Sequence, residues 1–335
     1  MPHDEQTDSS PSQPDARLHT ALVTGASGFL GKNLVAALRA RGWRVTECLR
    51  DPGPTPDAVA LRDLDAASIA SVPPRAWEVD AVFHLAGLAH RYPPHVPSDA
   101  EYMRVNAEGS RLLAQAARGR ARSFVFAGSI AAVTSGGVGR AITPATEPKP
   151  TTAYGRSKLE AERLLREALH ASGTSLRILR FPAIYGKDAP GAIGQLARWT
   201  AAGRPVPSGA RATRRSMIAV ANAVDALIVA ATHPALDGAT AMPTDGPAPD
   251  VVAMARMVAE AQGSALRVAP CPAFVLRGLA AAARLAPGGG LPGLAALERL
   301  VGSCAIEDDT LARLAGWRAP LSQQDAIRAT FGGRA

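Results

Sequence analysis

The chain has 335 residues with 47% hydrophobic and 20% charged side chains, and its Lys and Arg outnumber Asp and Glu by 37 to 29, a formal net charge of +8. This length and composition allow a sizeable core and exclude a mini-protein, a fibre and a chain disordered as a whole, and no uninterrupted apolar run reaches the about 20 residues of a membrane span. The positive charge suits an anion such as a nucleotide phosphate, but the Arg residues are scattered without an aromatic-basic motif, so we expect no nucleic-acid partner.

The start of the chain and the cysteines bear on its compartment. Residues 1–17 are rich in Asp, Ser, Pro and Gln and lack the apolar core of a signal peptide, which predicts a disordered tail. Cys48, Cys271 and Cys304 are an odd, widely spaced set without a C-x-x-C pair, which indicates neither a disulfide framework nor a zinc site. We therefore expect a cytoplasmic protein.

The first half of the chain alternates between strand and helix patterns. Residues 18–24 end in an apolar run typical of a strand, a glycine turn follows, and residues 33–41 carry apolar side chains at helical spacing. Residues 43–49 form the next predicted strand. Later strands are predicted at 79–85, 123–126 and 176–180, with helices at 99–117 and 157–171 between them. This alternation predicts a Rossmann-type, doubly wound parallel α/β sheet covered on both faces.

After Pro182 the pattern changes to scattered Gly and Pro, a helix at 221–232 and an Ala-, Leu- and Pro-rich tail. We predict a sheet domain over residues 18–182 and a smaller, mostly helical lobe over 183–335, interleaved with the last elements of the sheet. Residues 265–300 are apolar with three Arg interruptions, so a lobe helix and a membrane-surface patch are both open. The lobe helix is favoured because Pro and Gly break the amphipathic run.

The turn after the first strand carries three glycines with two residues between them, Gly25, Gly28 and Gly31. The first permits a sharp turn, the second lets the backbone approach a pyrophosphate, and the third lets the following helix pack tightly on the strand. The free N–H groups of that helix would face the phosphates. This arrangement predicts a dinucleotide-binding domain over residues 18–182.

The end of the second strand bears on the choice of nicotinamide cofactor. An acidic residue there would accept hydrogen bonds from the ribose 2′-OH and repel a 2′-phosphate, but the strand ends in Leu49 and Arg50. The Arg50 guanidinium is available to a 2′-phosphate, which favours NADP(H) slightly over NAD. Asp51 keeps NAD open, because a shift of one residue would bring its carboxylate to the ribose.

A second pattern combines a phenol, an amine and a hydroxyl. Tyr154 and Lys158 are one turn apart on a predicted helix, where the ammonium group can stabilise a phenolate and lower its pKa. Ser129 ends an apolar strand, at the edge where ligands bind in open α/β sheets. His84, His90 and His95 match no metal-ligand spacing and are predicted to be surface histidines, so we expect no metal site.

Six segments together resemble the extended short-chain dehydrogenase/reductases of the NAD-dependent epimerase/dehydratase family. They are TGASGFLG at 24–31, HLAG at 84–87, NAEGS at 106–110, FAGS at 126–129, YGRSK at 154–158 and RFPAIYG at 180–186. The resemblance covers residues 18–330 and is greatest to UDP-glucose 4-epimerase-like proteins of bacterial surface-polysaccharide pathways. It implies a cytoplasmic homodimer that transfers a hydride between a nucleotide-sugar carbon, most often C4, and nicotinamide.

The resemblance also implies site residues. Tyr154 would be the acid/base, Lys158 its pKa partner and ribose ligand, Ser129 the hydroxyl that orients the substrate, and Arg215 the ligand of the sugar-nucleotide diphosphate. Other positions would contact the cofactor along its length. They are Gly25, Ser27, Gly28, Phe29, Leu30 and Gly31 at the pyrophosphate, Asp63 and Leu64 at the adenine, Leu85, Ala86 and Gly87 at the ribose and phosphates, and Pro182 and Ile184 at the nicotinamide.

Two departures from the family pattern limit the reaction. The 4,6-dehydratases carry an Asp-Glu pair after the catalytic hydroxyl residue, whereas this chain has Ile130 and Ala131 there, which disfavours dehydration. Residues 190–194 lack the Asn that many relatives place against the nucleotide. A 4-epimerase or 4-ketoreductase of a nucleotide sugar is the first hypothesis, and an NADPH-dependent reductase of a non-nucleotide carbonyl or hydroxysteroid-like substrate is the alternative. A non-enzymatic cofactor sensor is disfavoured, since it would not need a tuned phenol.

Overall fold

The computed structural model describes residues 19–89, 96–134, 140–189, 191–285 and 302–333. The tail predicted at residues 1–17, together with His90 and His95, lies outside these ranges. No helix in the described ranges is both long and apolar enough to cross a bilayer.

The strands assemble into one large sheet and two small ones. In chain order they are β1 (Thr20–Thr24), β2 (Arg44–Leu49), β3 (Ala58–Ala60), β4 (Ala81–His84), β5 (Ser123–Ser129), β6 (Ser175–Phe181), β7 (Ala183–Tyr185), β8 (Val206–Pro207), β9 (Met217–Ala219), β10 (Thr240–Ala241) and β11 (Val268–Ala269). The large sheet has seven parallel strands in the order β3-β2-β1-β4-β5-β6-β10. The order reverses beside β1, which opens a crevice at the carboxyl ends of β1 and β4.

Helices cover both faces of this sheet and also build most of the smaller lobe. They are α1 (Phe29–Ala40), α2 (Ala66–Ala70), α3 (Asp99–Tyr102), α4 (Gly109–Ala117), α5 (Ala153–Leu169), α6 (Ala192–Ala201), α7 (Val220–Thr232), α8 (Val251–Ala261), α9 (Ala273–Leu285), α10 (Thr310–Ala315) and α11 (Gln323–Phe331), with a π-helical turn at Met103–Glu108 between α3 and α4.

The two faces of the sheet bury separate apolar clusters, because successive strand residues point to opposite sides. On one face Val23 and Phe83 pack with Leu38 of α1 and Leu227 of α7. On the other face a second cluster contains Leu22 and Phe124 of the sheet, Leu113 of α4 and Leu165 of α5. The doubly wound parallel sheet predicted from the sequence is therefore confirmed.

The second half of the chain contributes to both parts of the molecule. β10 adds the last strand to the large sheet by pairing with β6, and α7 packs on one face of that sheet. Around it, β7 pairs with β9 and β8 with β11. A cluster that contains Tyr185, Met254 and Ile327 joins this region to α8 and α11. β7 follows directly from β6, so this second lobe begins at the carboxyl edge of the large sheet.

Candidate active site

The glycine turn between β1 and α1 packs so closely on itself and on the chain after β4 that two of its positions admit no side chain. Gly25 has φ of +70°. A Cβ there would lie 2.7 Å from Ala86 N, and a Cβ at Gly31 would lie 2.1 Å from Gly25 O. Gly28 donates its N–H to Gly25 O at 3.0 Å and begins α1 without a side-chain cap. The first N–H groups of α1 are therefore open to an anion.

The end of β4 faces this turn. Ala86 N donates to Thr24 Oγ1 at 3.3 Å, which ties the two strand ends together. Gly87 has φ of +155°, and a Cβ there would lie 2.7 Å from Asn106 Oδ1 and 3.9 Å from Lys158 Nζ. Ser27 is exposed, and Phe29, Leu30 and Leu85 are half-buried around the turn. This cradle, formed by the close-packed glycines and the uncapped start of α1, fits the pyrophosphate and ribose of a dinucleotide.

The ends of β2 and β3 lie farther along the same edge. Arg50 follows β2 with an exposed side chain, while Asp51 accepts a hydrogen bond from Gly53 N at 3.2 Å. The exposed Asp63 forms an ion pair with Arg104 at 3.1 Å and accepts from the buried Leu64's N–H at 2.8 Å. The Asp51 carboxylate thus closes its own turn, whereas the Arg50 guanidinium faces solvent.

Ser129, Tyr154 and Lys158 come together at the carboxyl end of β5. Thr152 caps the start of α5, where its side chain accepts from Gly155 N at 3.1 Å. The close approach of α5 to the chain after β5 requires a glycine, since a Cβ at Gly155 would lie 2.3 Å from Ala131 O. Lys158 Nζ donates to Ala127 O at 3.1 Å, and the Ser129 side chain forms a hydrogen bond with the Tyr154 phenol.

Burial sets the proton affinities of the phenol and the amine in opposite directions. Burial raises the pKa of Tyr154, and the hydrogen bond from Ser129 opposes that rise. Burial lowers the pKa of Lys158 to about 8, and the nearby Glu162 carboxylate opposes that fall. We expected the Lys158 charge to lower the phenol pKa, but in this structure burial dominates. Burial thus favours the neutral form of both the Tyr154 phenol and the Lys158 amine.

Glu162, which no sequence motif singles out, is a further candidate residue of this site. It lies one turn beyond Lys158, is fully buried, and accepts from Arg180 Nε and Nη2 at 2.8 and 2.7 Å. Arg166 also lies 3.5 Å from it. The four-residue spacing from Lys158 to Glu162 was readable in the sequence, but pairing with Arg180 requires β6 to lie beside α5. The carboxylate places a compensated negative charge beneath the Lys158 amine.

His84 is buried, so its prediction as a surface histidine is wrong. It ends β4 with 0% exposure and lies between the hydroxyls of Thr24 and Ser110, at 2.8 Å on each ring nitrogen. Burial, together with the Lys158 charge, lowers its pKa to about 3. The apolar strand that leads into His84 was the better signal. A neutral His84 joins the glycine turn to α4.

Asn106 lies in the π-helical turn before α4, within a segment that the sequence pattern predicted as one continuous helix. Its Oδ1 accepts from Leu88 N at 2.7 Å, and its Nδ2 donates to Leu88 O at 3.1 Å and to Ser157 Oγ at 3.0 Å. Tyr102, on the turn before it, packs edge-on against the Tyr154 ring at 5.9 Å. The π-turn thus holds the loop after β4 against the helix that carries Tyr154 and Lys158.

The remaining predicted residues lie at the junction with the second lobe. Pro182 is buried between β6 and β7, and Ile184 in β7 is half-buried against the cluster beneath α1 and α7. Arg215 lies just before β9: its Nη1 donates to Gly302 O at 2.6 Å, and its backbone N donates to Pro249 O at 3.0 Å.

Comparisons with known proteins agree with this geometry. The sequence model of the NAD dependent epimerase/dehydratase family matches residues 21–241. A UDP-glucose 4-epimerase from Vibrio cholerae is 27% identical over 322 residues, covering 92% of this chain and 93% of that protein. A Stigmatella aurantiaca ketoreductase of 4-hydroxy-2-methyl-3-oxo-4-farnesyl-3,4-dihydroquinoline-1-oxide is 26% identical, covering 92% of this chain and 94% of its own.

A solved structure covers the same length. MoeE5 in complex with UDP-glucose and NAD superposes with a TM-score of 0.70 and 26% identity, covering 93% of this chain and 97% of that one. The family model spans both the glycine turn and the Tyr154 helix, and the fold extends over the second lobe. The chain therefore belongs to the NAD-dependent epimerase/dehydratase family of extended short-chain dehydrogenase/reductase enzymes, as its motifs predicted.

Proposed function

We propose that the protein is an NAD(P)-dependent 4-epimerase or 4-ketoreductase of a nucleotide sugar, with a role in surface-polysaccharide biosynthesis in the cytoplasm. The observation that carries this proposal is the convergence of Ser129, Tyr154 and Lys158 beside the glycine cradle, at one edge of the sheet. The UDP-sugars named with similar proteins, UDP-glucose in MoeE5 among them, support a nucleotide sugar as substrate.

The residues of the chain would divide the acid-base work. A bound nicotinamide cofactor supplies or accepts the hydride. Tyr154 gives its phenolic proton to the sugar oxygen when a ketone is reduced and removes that proton when an alcohol is oxidised. Ser129 orients the same oxygen through its hydroxyl. Lys158, whose amine donates to Ala127 O, would stabilise the phenolate that forms, and Glu162 favours the charged amine.

We further propose NADP(H) as the preferred cofactor, held at its 2′-phosphate by Arg50. The guanidinium is exposed beside the end of β2, and the competing Asp51 carboxylate accepts a bond within its own turn. Arg50→Gln should raise the KM for NADPH about tenfold or more and leave that for NADH unchanged, because the lost pairing is a charge-assisted one. Arg44→Gln, at the opposite end of β2, is the matched control. Equal effects of both variants on NADPH would refute this assignment.

Arg215 is the proposed ligand of the substrate diphosphate. Its side chain is half-buried in the second lobe, where Nη1 donates to Gly302 O at 2.6 Å, and the planar guanidinium is the side chain best matched to a diphosphate. We also propose a homodimer through a helix bundle that includes α5, the helix of Tyr154, as the family resemblance implies.

The phenol provides the test of the reaction. Tyr154→Phe should abolish turnover with UDP-glucose, UDP-galactose and their 4-keto forms while the binding of NADPH changes little, since only the proton donor is lost. Tyr102→Phe is the matched control. It removes the hydroxyl of a neighbouring tyrosine, whose ring centroid lies 5.9 Å from that of Tyr154, and it should keep activity. Wild-type turnover by Tyr154→Phe would refute the mechanism.

One observation favours a second candidate, a reductase of an apolar carbonyl compound. The Stigmatella aurantiaca relative, whose name specifies a farnesylated quinoline oxide, matches this chain over nearly its full length. NADPH oxidation distinguishes the candidates. Interconversion of UDP-sugars without net oxidation supports the epimerase, oxidation with a 4-keto sugar supports the 4-ketoreductase, and oxidation only with apolar ketones supports the second candidate.

A further inference from the structure

The helix α9 turns an apolar side outward. Leu276 is 3% exposed and packs into a cluster with Val206, Ala210 and Val252, which anchors the helix on the second lobe. Phe274, on the side of α9 opposite Leu276, is 73% exposed, and Leu279, at the edge of the buried side, is 51% exposed. Side chains of this size usually face a core, so a helix that is anchored on one side and apolar on the other has a surface suited to a second contact.

The sequence around α9 is free of acidic residues. Neither residues 189–224 nor residues 261–285 contain an Asp or a Glu. These two segments carry Arg198, Arg204, Arg211, Arg214 and Arg215 in the first and Arg267, Arg277 and Arg284 in the second. Arg211, Arg267 and Arg277 are all exposed. These two segments are therefore positively charged, while α8, which packs into the same cluster as Leu276, carries Asp250 at its start and Glu260 near its end.

The two acid-free segments meet around the same cluster. Leu196 of α6 packs against the cluster that holds Leu276, and β8 pairs with β11, the strand just before α9. α6 also carries the exposed Trp199, whose ring lies 5.1 Å from the Arg204 guanidinium carbon. Exposed apolar side chains and guanidinium groups thus occur together on neighbouring elements of the second lobe.

We propose that the α9 surface, formed by Phe274, Val275, Arg277 and Leu279, docks on an anionic lipid bilayer. α9 would lie in the plane of the interface, with its apolar side chains among the acyl chains and Arg277 at the headgroups. A nucleic acid would pair with the Arg residues but leave Phe274 and Leu279 exposed to water. A second copy docking face to face would place like charges opposite one another. This inference does not depend on which substrate the active site accepts.

Co-sedimentation with vesicles tests the proposal. The full chain should bind vesicles that contain about one third phosphatidylglycerol, bind those of pure phosphatidylcholine weakly, and dissociate as salt is raised. Phe274→Ser/Leu279→Ser should weaken binding about tenfold or more, because two apolar side chains lose their burial. Arg277→Gln should weaken it about fivefold, the effect of one cation near an anionic surface.

Matched controls remove an apolar or a cationic side chain elsewhere. Val96→Ser and Arg120→Gln replace exposed residues of the sheet domain and should leave vesicle binding unchanged. Circular dichroism and NADPH binding show that each variant is folded. The proposal is overturned if the wild-type chain ignores anionic vesicles or if the controls weaken binding as much as the α9 variants. It is equally overturned if the α9 variants instead dissolve an oligomer in size-exclusion chromatography.

Discussion

Acid should destabilise the protein through His84. The folded state holds this side chain neutral between two hydroxyls, with its pKa lowered from 6.5 to about 3. The unfolded chain therefore binds one proton more in that interval, and the free energy of unfolding falls as pH drops from 6.5 towards 3. At about pH 4.5 the two-unit difference is worth about 3 kcal/mol, and below both pKa values the loss approaches about 5 kcal/mol.

Urea unfolding at about pH 7 and about pH 4.5 measures this loss. His84→Gln keeps a donor and an acceptor for the two hydroxyls but cannot titrate, so it should lose about 3 kcal/mol less than the wild type between the two pH values. Carboxylates also titrate in this interval, and the comparison with the variant subtracts their contribution. His170→Gln, at the exposed end of α5, controls for the loss of a histidine. An equal pH dependence in wild type and His84→Gln would refute the reasoning.

The other predictions concern the cradle and the charge beneath the site. Gly31→Ala should abolish NADPH binding, because its Cβ would lie 2.1 Å from a carbonyl oxygen of the turn. Gly42 has φ of +77° and open space around it, so Gly42→Ala should lower the free energy of unfolding by only about 1 kcal/mol. NADPH titration checks this, and normal binding by Gly31→Ala would contradict it. Glu162→Gln should lower the free energy of unfolding by about 3–5 kcal/mol, because Arg180 would lose its buried partner. Glu160→Gln, which removes the surface ion pair with Arg163, should lower it by less than about 1 kcal/mol. Denaturant midpoints measure both, and equal losses would contradict the buried charge pair.

The order of strands, turns and helices along the chain follows from the sequence, because each element depends on the hydrophobic periodicity and the glycine spacing of its own segment. Gly25, Gly28 and Gly31 predicted a turn between a strand and a helix, and the structure has that turn with a Cβ excluded at two of them. The spacing of Tyr154 and Lys158 predicted one helix face, and both lie on α5. Alternation alone predicted a parallel sheet and therefore the edge where ligands bind.

Contacts between distant segments were decided only by the tertiary structure. The spacing of His84, His90 and His95 predicted surface histidines, whereas in the fold Thr24 and Ser110, both distant in sequence, bond the two ring nitrogens of His84. The outward apolar face of α9 also needed the fold, since the sequence left a lobe helix and a surface patch open, and packing shows which side Leu276 buries. Burial and long-range pairing depend on which elements lie side by side, and local sequence does not carry that information.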